Sequence, residues 1–60
     1  MRARELEKLL KQDGWQLKNS RGSHRQYVHP RKSGKVTIPF HPGDLDKRTE
    51  KSILEQAGLR

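Results

Sequence analysis

The chain has 60 residues, 28% of them apolar and 35% charged, with no cysteine, a net charge of +7 and a pI near 10.4. These values exclude a disulfide-stapled fold and a cysteine-based metal centre, leave room for one domain over residues 1–60, and point to a polyanionic partner. No apolar run approaches the ~20 residues of a membrane span, and the N-terminus is charged from Arg2 onward, so a soluble, cytoplasmic protein with no membrane partner is expected.

Ala3, Leu6, Leu9 and Leu10 recur at helical spacing and predict an amphipathic helix over 3–13, with Glu5, Glu7, Lys8 and Lys11 on its wet side. Asp13-Gly14 ends it, glycine being free to adopt a left-handed cap. Residues 15–20 alternate apolar and polar and predict a strand. Arg21-Gly22-Ser23 is a short turn into a second strand, 24–29, which Pro30 stops. A second turn over 31–34 leads to a third strand, 35–39, rich in β-branched residues. A loop containing Pro42-Gly43 follows. Asp46 then caps a helix over 47–57 whose inner face carries Thr49, Ile53, Leu54 and Ala57. Gly58 ends that helix, with Leu59 folding back as its apolar contact.

The order is α-β-β-β-α. Two apolar helix stripes need one surface to cover, so the expected fold is α+β, a three-stranded antiparallel sheet with both helices on one face and the other face open. This is the layout of double-stranded-RNA-binding domains. Strand alternation sends Trp15, Leu17, Tyr27, Val36 and Ile38 toward the helices, with Arg25 and His29 on that side or its rim. It leaves Lys18, His24, Gln26 and Lys35 on the open face.

Charge is unevenly spread. Residues 1–13 carry a net +1 and residues 39–60 are neutral, while residues 14–38 hold six basic side chains (Lys18, Arg21, Arg25, Arg31, Lys32, Lys35) and no acid. A one-sign segment on an open sheet suits RNA phosphates.

The candidate chemistry narrows quickly. His24 and His29 project to opposite faces and His41 lies in a loop, so the three histidines do not form the converging set that zinc requires. Ser23 beside His24 lacks an orienting carboxylate for a triad. The glycines are scattered one per turn and make no phosphate-binding loop. General acid–base catalysis on RNA remains, because RNA carries its own nucleophile in the 2′-OH and an imidazole exchanges protons near neutral pH. Spacing alone does not separate that role for His24 from an exposed histidine touching phosphate. His29-Pro30 reads as a strand end, His41 as a turn residue with contact to phosphate or a partner as its other reading, and Trp15 and Tyr27 as core.

Leu6-Glu-Lys-Leu-Leu10, Asp13-Gly-Trp15, Arg21-Gly-Ser-His24 with Tyr27 and His29-Pro30, Val36-Thr-Ile-Pro39, and Ile53-Leu-Glu-Gln-Ala-Gly-Leu59 together resemble HicA-type toxins over nearly the whole chain. The resemblance implies a double-stranded-RNA-binding-like fold and an mRNA interferase, a toxin that inhibits translation by cutting mRNA without metal or cofactor. It implies a single essential histidine at His24, with Gly22 shaping its turn, and a HicB-type antitoxin covering the active face, with any oligomer formed through that complex. The RNA contacts expected beside His24 are Lys18, Arg21, Gly22, Ser23, Arg25, Gln26 and Lys35. The alternative reading is a non-catalytic RNA-binding module of the same fold.

Overall fold

The computed structural model describes all 60 residues. The elements are α1 (Ala3–Asp13), β1 (Gln16–Arg21), β2 (His24–Val28), β3 (Val36–Pro39) and α2 (Lys47–Gln56). The strands form one antiparallel sheet in the order β1-β2-β3, as the sequence predicts.

Both helices pack on β3, and the core lies between them and the inner sheet face. Ala3, Leu6 and Leu10 come from α1, Ile53 and Ala57 from the α2 end, and Trp15, Tyr27, Val36 and Ile38 from the sheet side; all nine are buried. Phe40, Leu45 and Leu54 pack half-buried around this set. Burying each large side chain contributes about 1.5–3 kcal/mol. In so small a core, the polar ties at its edges carry corresponding weight.

The helix ends are built as the sequence suggests. The Asp46 carboxylate accepts from the Thr49 N–H at 2.7 Å and caps α2. The two helices end in the same Schellman arrangement. In α1, Trp15 N–H donates to the Leu10 carbonyl and Gly14 N–H to that of Lys11; in α2, Leu59 N–H donates to Leu54 and Gly58 N–H to Glu55.

Three expectations are corrected. Leu9 belongs to the α1 stripe by spacing, yet it is 36% exposed and sits at the rim with Leu54 and Leu59. Leu17 pairs with Tyr27 and so shares its inner face, but it is 43% exposed. It lies on an edge strand, while the helices cover the opposite, β3 side of the sheet. The second connection is also wider than a tight turn. β2 ends at Val28 and β3 starts at Val36, and residues 29–35 wrap around the His29 side chain.

His29 organises that loop and belongs to the scaffold. Its Nδ1 accepts from the N–H groups of Arg31 (3.0 Å) and Lys32 (3.2 Å), which leaves Nε2 to carry the proton and donate to the Asp13 carbonyl at 2.7 Å. The ring meets Trp15 edge-on with centroids 5.2 Å apart. Lys32 Nζ bridges the Asp13 carboxylate (2.6 Å) and the Ala57 carbonyl (3.0 Å), and the Trp15 indole N–H reaches the same carbonyl at 3.3 Å. The Lys32 ammonium accordingly holds the Asp13 carboxyl below its ordinary value. One loop therefore ties together the C-terminal ends of both helices.

Candidate functional site

The β1–β2 hairpin sets the position of His24. Arg21 pairs with His24 across it, and Gly22-Ser23 form the loop. Gly22 has φ +60° while Ser23 does not take positive φ, the pattern of a type II′ turn, which matches the twist of the flanking strands. Arg21, Gly22, Ser23 and His24 are all exposed.

A register irregularity between Leu17 and Asn19 changes which β1 residues accompany His24. Leu17 pairs with Tyr27 but Asn19 with Gln26, so Lys18 is the extra residue of a β-bulge. Beyond the bulge the alternation is inverted. Asn19 lies beside Gln26, and Arg21 beside His24, on the open face. Lys18 and Lys35 are exposed, and Gln26 is half-buried between Asn19 and Thr37.

Arg25 goes elsewhere. Its guanidinium donates to the Glu7 carboxylate at 3.2 Å and lies over the Phe40 ring, 4.2 Å from the centroid. The Tyr27 hydroxyl donates to the same Glu7 oxygen, and Lys11 stands 3.9 Å away. Burial works against the Glu7 charge, but the Tyr27 hydrogen bond together with Lys11 and Arg25 outweighs it and holds the carboxyl below its ordinary value. Burial, and next the bond to Glu7, push the Tyr27 hydroxyl well above its ordinary range. Of the six cations in the acid-free segment, Arg25 and Lys32 are thus paired with α1 carboxylates. Lys18, Arg21, Arg31 and Lys35 remain exposed.

The structure brings a second imidazole to His24. The ring centroids of His24 and His41 are 6.1 Å apart, with the planes at 77°. The cause is the β2–β3 register. His24 pairs with Pro39, and the ladder runs one step further, since Phe40 N–H donates to the Ser23 carbonyl. His41 is then the diagonal, same-face neighbour of His24. The chain beyond is fastened to the N-terminus: Leu45 N–H donates to the Met1 carbonyl at 3.0 Å, and Arg2 and Asp44 form a β-bridge. His41 also lines a cleft of about 380 Å³ with Arg2, Arg4, Glu5, Glu7 and Arg25 among its walls. Reading His41 as a turn residue missed this pairing. Alternation points Tyr27 and Val36 inward, but that they oppose each other is set by the register, from which residue 24 opposes 39 and 41 follows on the same face.

An α-β-β-β-α domain with one sheet face under helices, and exposed imidazoles and cations at the other, has the double-stranded-RNA-binding type of architecture. The model of the HicA toxin of bacterial toxin–antitoxin systems matches residues 3–59, and the chain belongs to that family. It is therefore a toxin of a toxin–antitoxin module, for which an antitoxin is the partner. No curated protein matches the chain. No helix is long and apolar enough to cross a membrane.

Proposed function

We propose that the protein is an endoribonuclease that cleaves mRNA, with His24 as its catalytic proton-transfer group. The observation that carries this reading is an exposed imidazole beside Arg21 on the uncovered sheet face, in a chain of the HicA family. The reaction needs no metal or cofactor. His24 exchanges a proton with the reacting RNA while the 2′-oxygen bonds to phosphorus and the P–O5′ bond breaks, leaving a 2′,3′-cyclic phosphate and a 5′-hydroxyl. Arg21, paired with His24 across the hairpin, offsets the charge that builds on the phosphorane, while Lys18 and Lys35, several residues away along the sheet, hold neighbouring phosphates. The Gly22-Ser23 loop carries no bulk that would keep a phosphate backbone away, and Gln26 offers a neutral hydrogen-bonding group further along the strand. The Arg25 guanidinium, already on Glu7 and Phe40, braces the site from beneath. A HicB-type antitoxin would inhibit by covering this same face, in the cytoplasm where mRNA is found.

The test is His24→Ala, expressed without an antitoxin and also assayed as purified protein on RNA in EDTA. Loss of an acid–base group costs about 10²–10⁴-fold in rate, so the variant should neither arrest growth nor cut RNA. A variant as active as wild type refutes the assignment. Salt-sensitive RNA binding without cleavage by the wild-type protein would establish the non-catalytic RNA-binding module instead.

A further inference from the structure

A cleavage that takes a proton from one oxygen and returns one to another is best served by two groups, and a single histidine leaves the second unnamed. Of the remaining histidines, His29 has both ring nitrogens engaged in the scaffold. His41 is exposed, on the face of His24, with its ring centroid 6.1 Å from that of His24.

We propose that His41 is the second proton-transfer group, paired with His24 across one phosphodiester. This rests on the ribonuclease reading above. Each imidazole must come within about 2.6–3.2 Å of the oxygen it serves. Rings separated as these are, and set at a steep mutual angle, can address the 2′ and 5′ oxygens of one linkage from two directions. The base takes the 2′-OH proton as the O2′–P bond forms. The acid gives its proton to O5′ as the P–O5′ bond breaks. The pair ends with its protons exchanged and no other reactant consumed.

The position of His41 is held from both sides. Phe40 N–H is bonded to the Ser23 carbonyl, the Phe40 ring lies under Arg25, and Leu45 N–H is bonded to Met1. Holding a proton-transfer group in place is what makes it effective, since small misplacements are costly in rate. The charged groups around the pair are Arg21 beside His24, and Arg2, Arg4, Arg25, Glu5 and Glu7 in the cleft that His41 lines. In that cleft Arg25 is paired with Glu7 and Arg2 with Asp44, which leaves Arg4 as its unpaired cation.

The experiment uses the purified full chain with His41→Ala, His41→Gln and His24→Ala, and an RNA that wild type cleaves. That RNA is also made with sulfur replacing the leaving 5′ oxygen at the cleaved linkage. Both His41 variants should keep the wild-type KM, lose about 10²–10⁴-fold in kcat, and show one limb of the rate–pH profile where wild type shows two. A thiolate leaves without a proton, so the sulfur substrate should restore the rate to the variant lacking the acid and to no other. Rescue confined to one histidine position supports the pair. Rescue at both or at neither overturns it, as do His41 variants that cleave like wild type, in which case the ribonuclease reading stands alone. If wild type cleaves no RNA, both readings fall.

Discussion

Replacing Gly14 by alanine tests whether the loop under the sheet is as tightly built as its hydrogen bonds indicate. Gly14 has φ +107°, a conformation that L side chains rarely adopt, and a Cβ there would stand 2.8 Å from His29 Nε2. The backbone conformation alone then costs about 1–2 kcal/mol. The ring cannot retreat freely, because Nε2 is bonded to Asp13 and Nδ1 to Arg31 and Lys32. Losing one such bond costs about 0.5–1.5 kcal/mol more. A total of about 1.5–3.5 kcal/mol corresponds to a fall in Tm of roughly 6–28 °C in a domain of this size. Urea and thermal unfolding followed by circular dichroism would measure it. A chain of this length can also be made by synthesis with D-alanine at 14, which accepts positive φ and directs its Cβ away from the His29 ring. That version should be at least as stable as the glycine protein. An L-alanine loss under about 1 kcal/mol, or an equal loss in the D-alanine protein, would refute the reasoning.

Glu7→Gln should lower stability at neutral pH by about 1.5–3 kcal/mol, the range for hydrogen bonds to a charged group. The Glu7 carboxyl is held below its ordinary value of 4.5, so its contribution is complete above that pH and lost as pH falls through the lower folded-state value. Wild type and variant should therefore converge in acid, and parallel denaturation curves across that range would contradict this. In RNA binding, Lys18→Gln, Arg21→Gln and Lys35→Gln should each reduce the slope of log K against log salt by about 0.7 for each phosphate the side chain had neutralised. Lys32→Gln, whose ammonium is spent on Asp13 and Ala57, should reduce stability and leave the salt slope in place.

Local chemistry written in the sequence accounts for the elements and their ends. The leucines of α1 at helical spacing, the Asp46 cap, Gly14 and Gly58 past the helix ends, and the Gly22-Ser23 loop each act over a few residues, so they are readable without a fold. Alternation also placed Tyr27, Val36 and Ile38 correctly, because one buried face fixes strand parity. What depends on the neighbours of an element could not be read in this way. Leu17 has the parity of a core residue, but only the helix positions decide that its edge strand is left uncovered. The bulge at Lys18 is a register event between two strands, and it moves Arg21 to the side of His24. Arg25 and Lys32 look like free cations until α1 brings Glu7 and Asp13 to them across long stretches of chain.

The basic middle and the exposed His24 were determined by sequence alone, through composition and strand alternation. The company His24 keeps was decided by tertiary structure. His41 is far from it along the chain, and only the antiparallel β2–β3 register, extended by the Phe40–Ser23 hydrogen bond, puts the two imidazoles side by side.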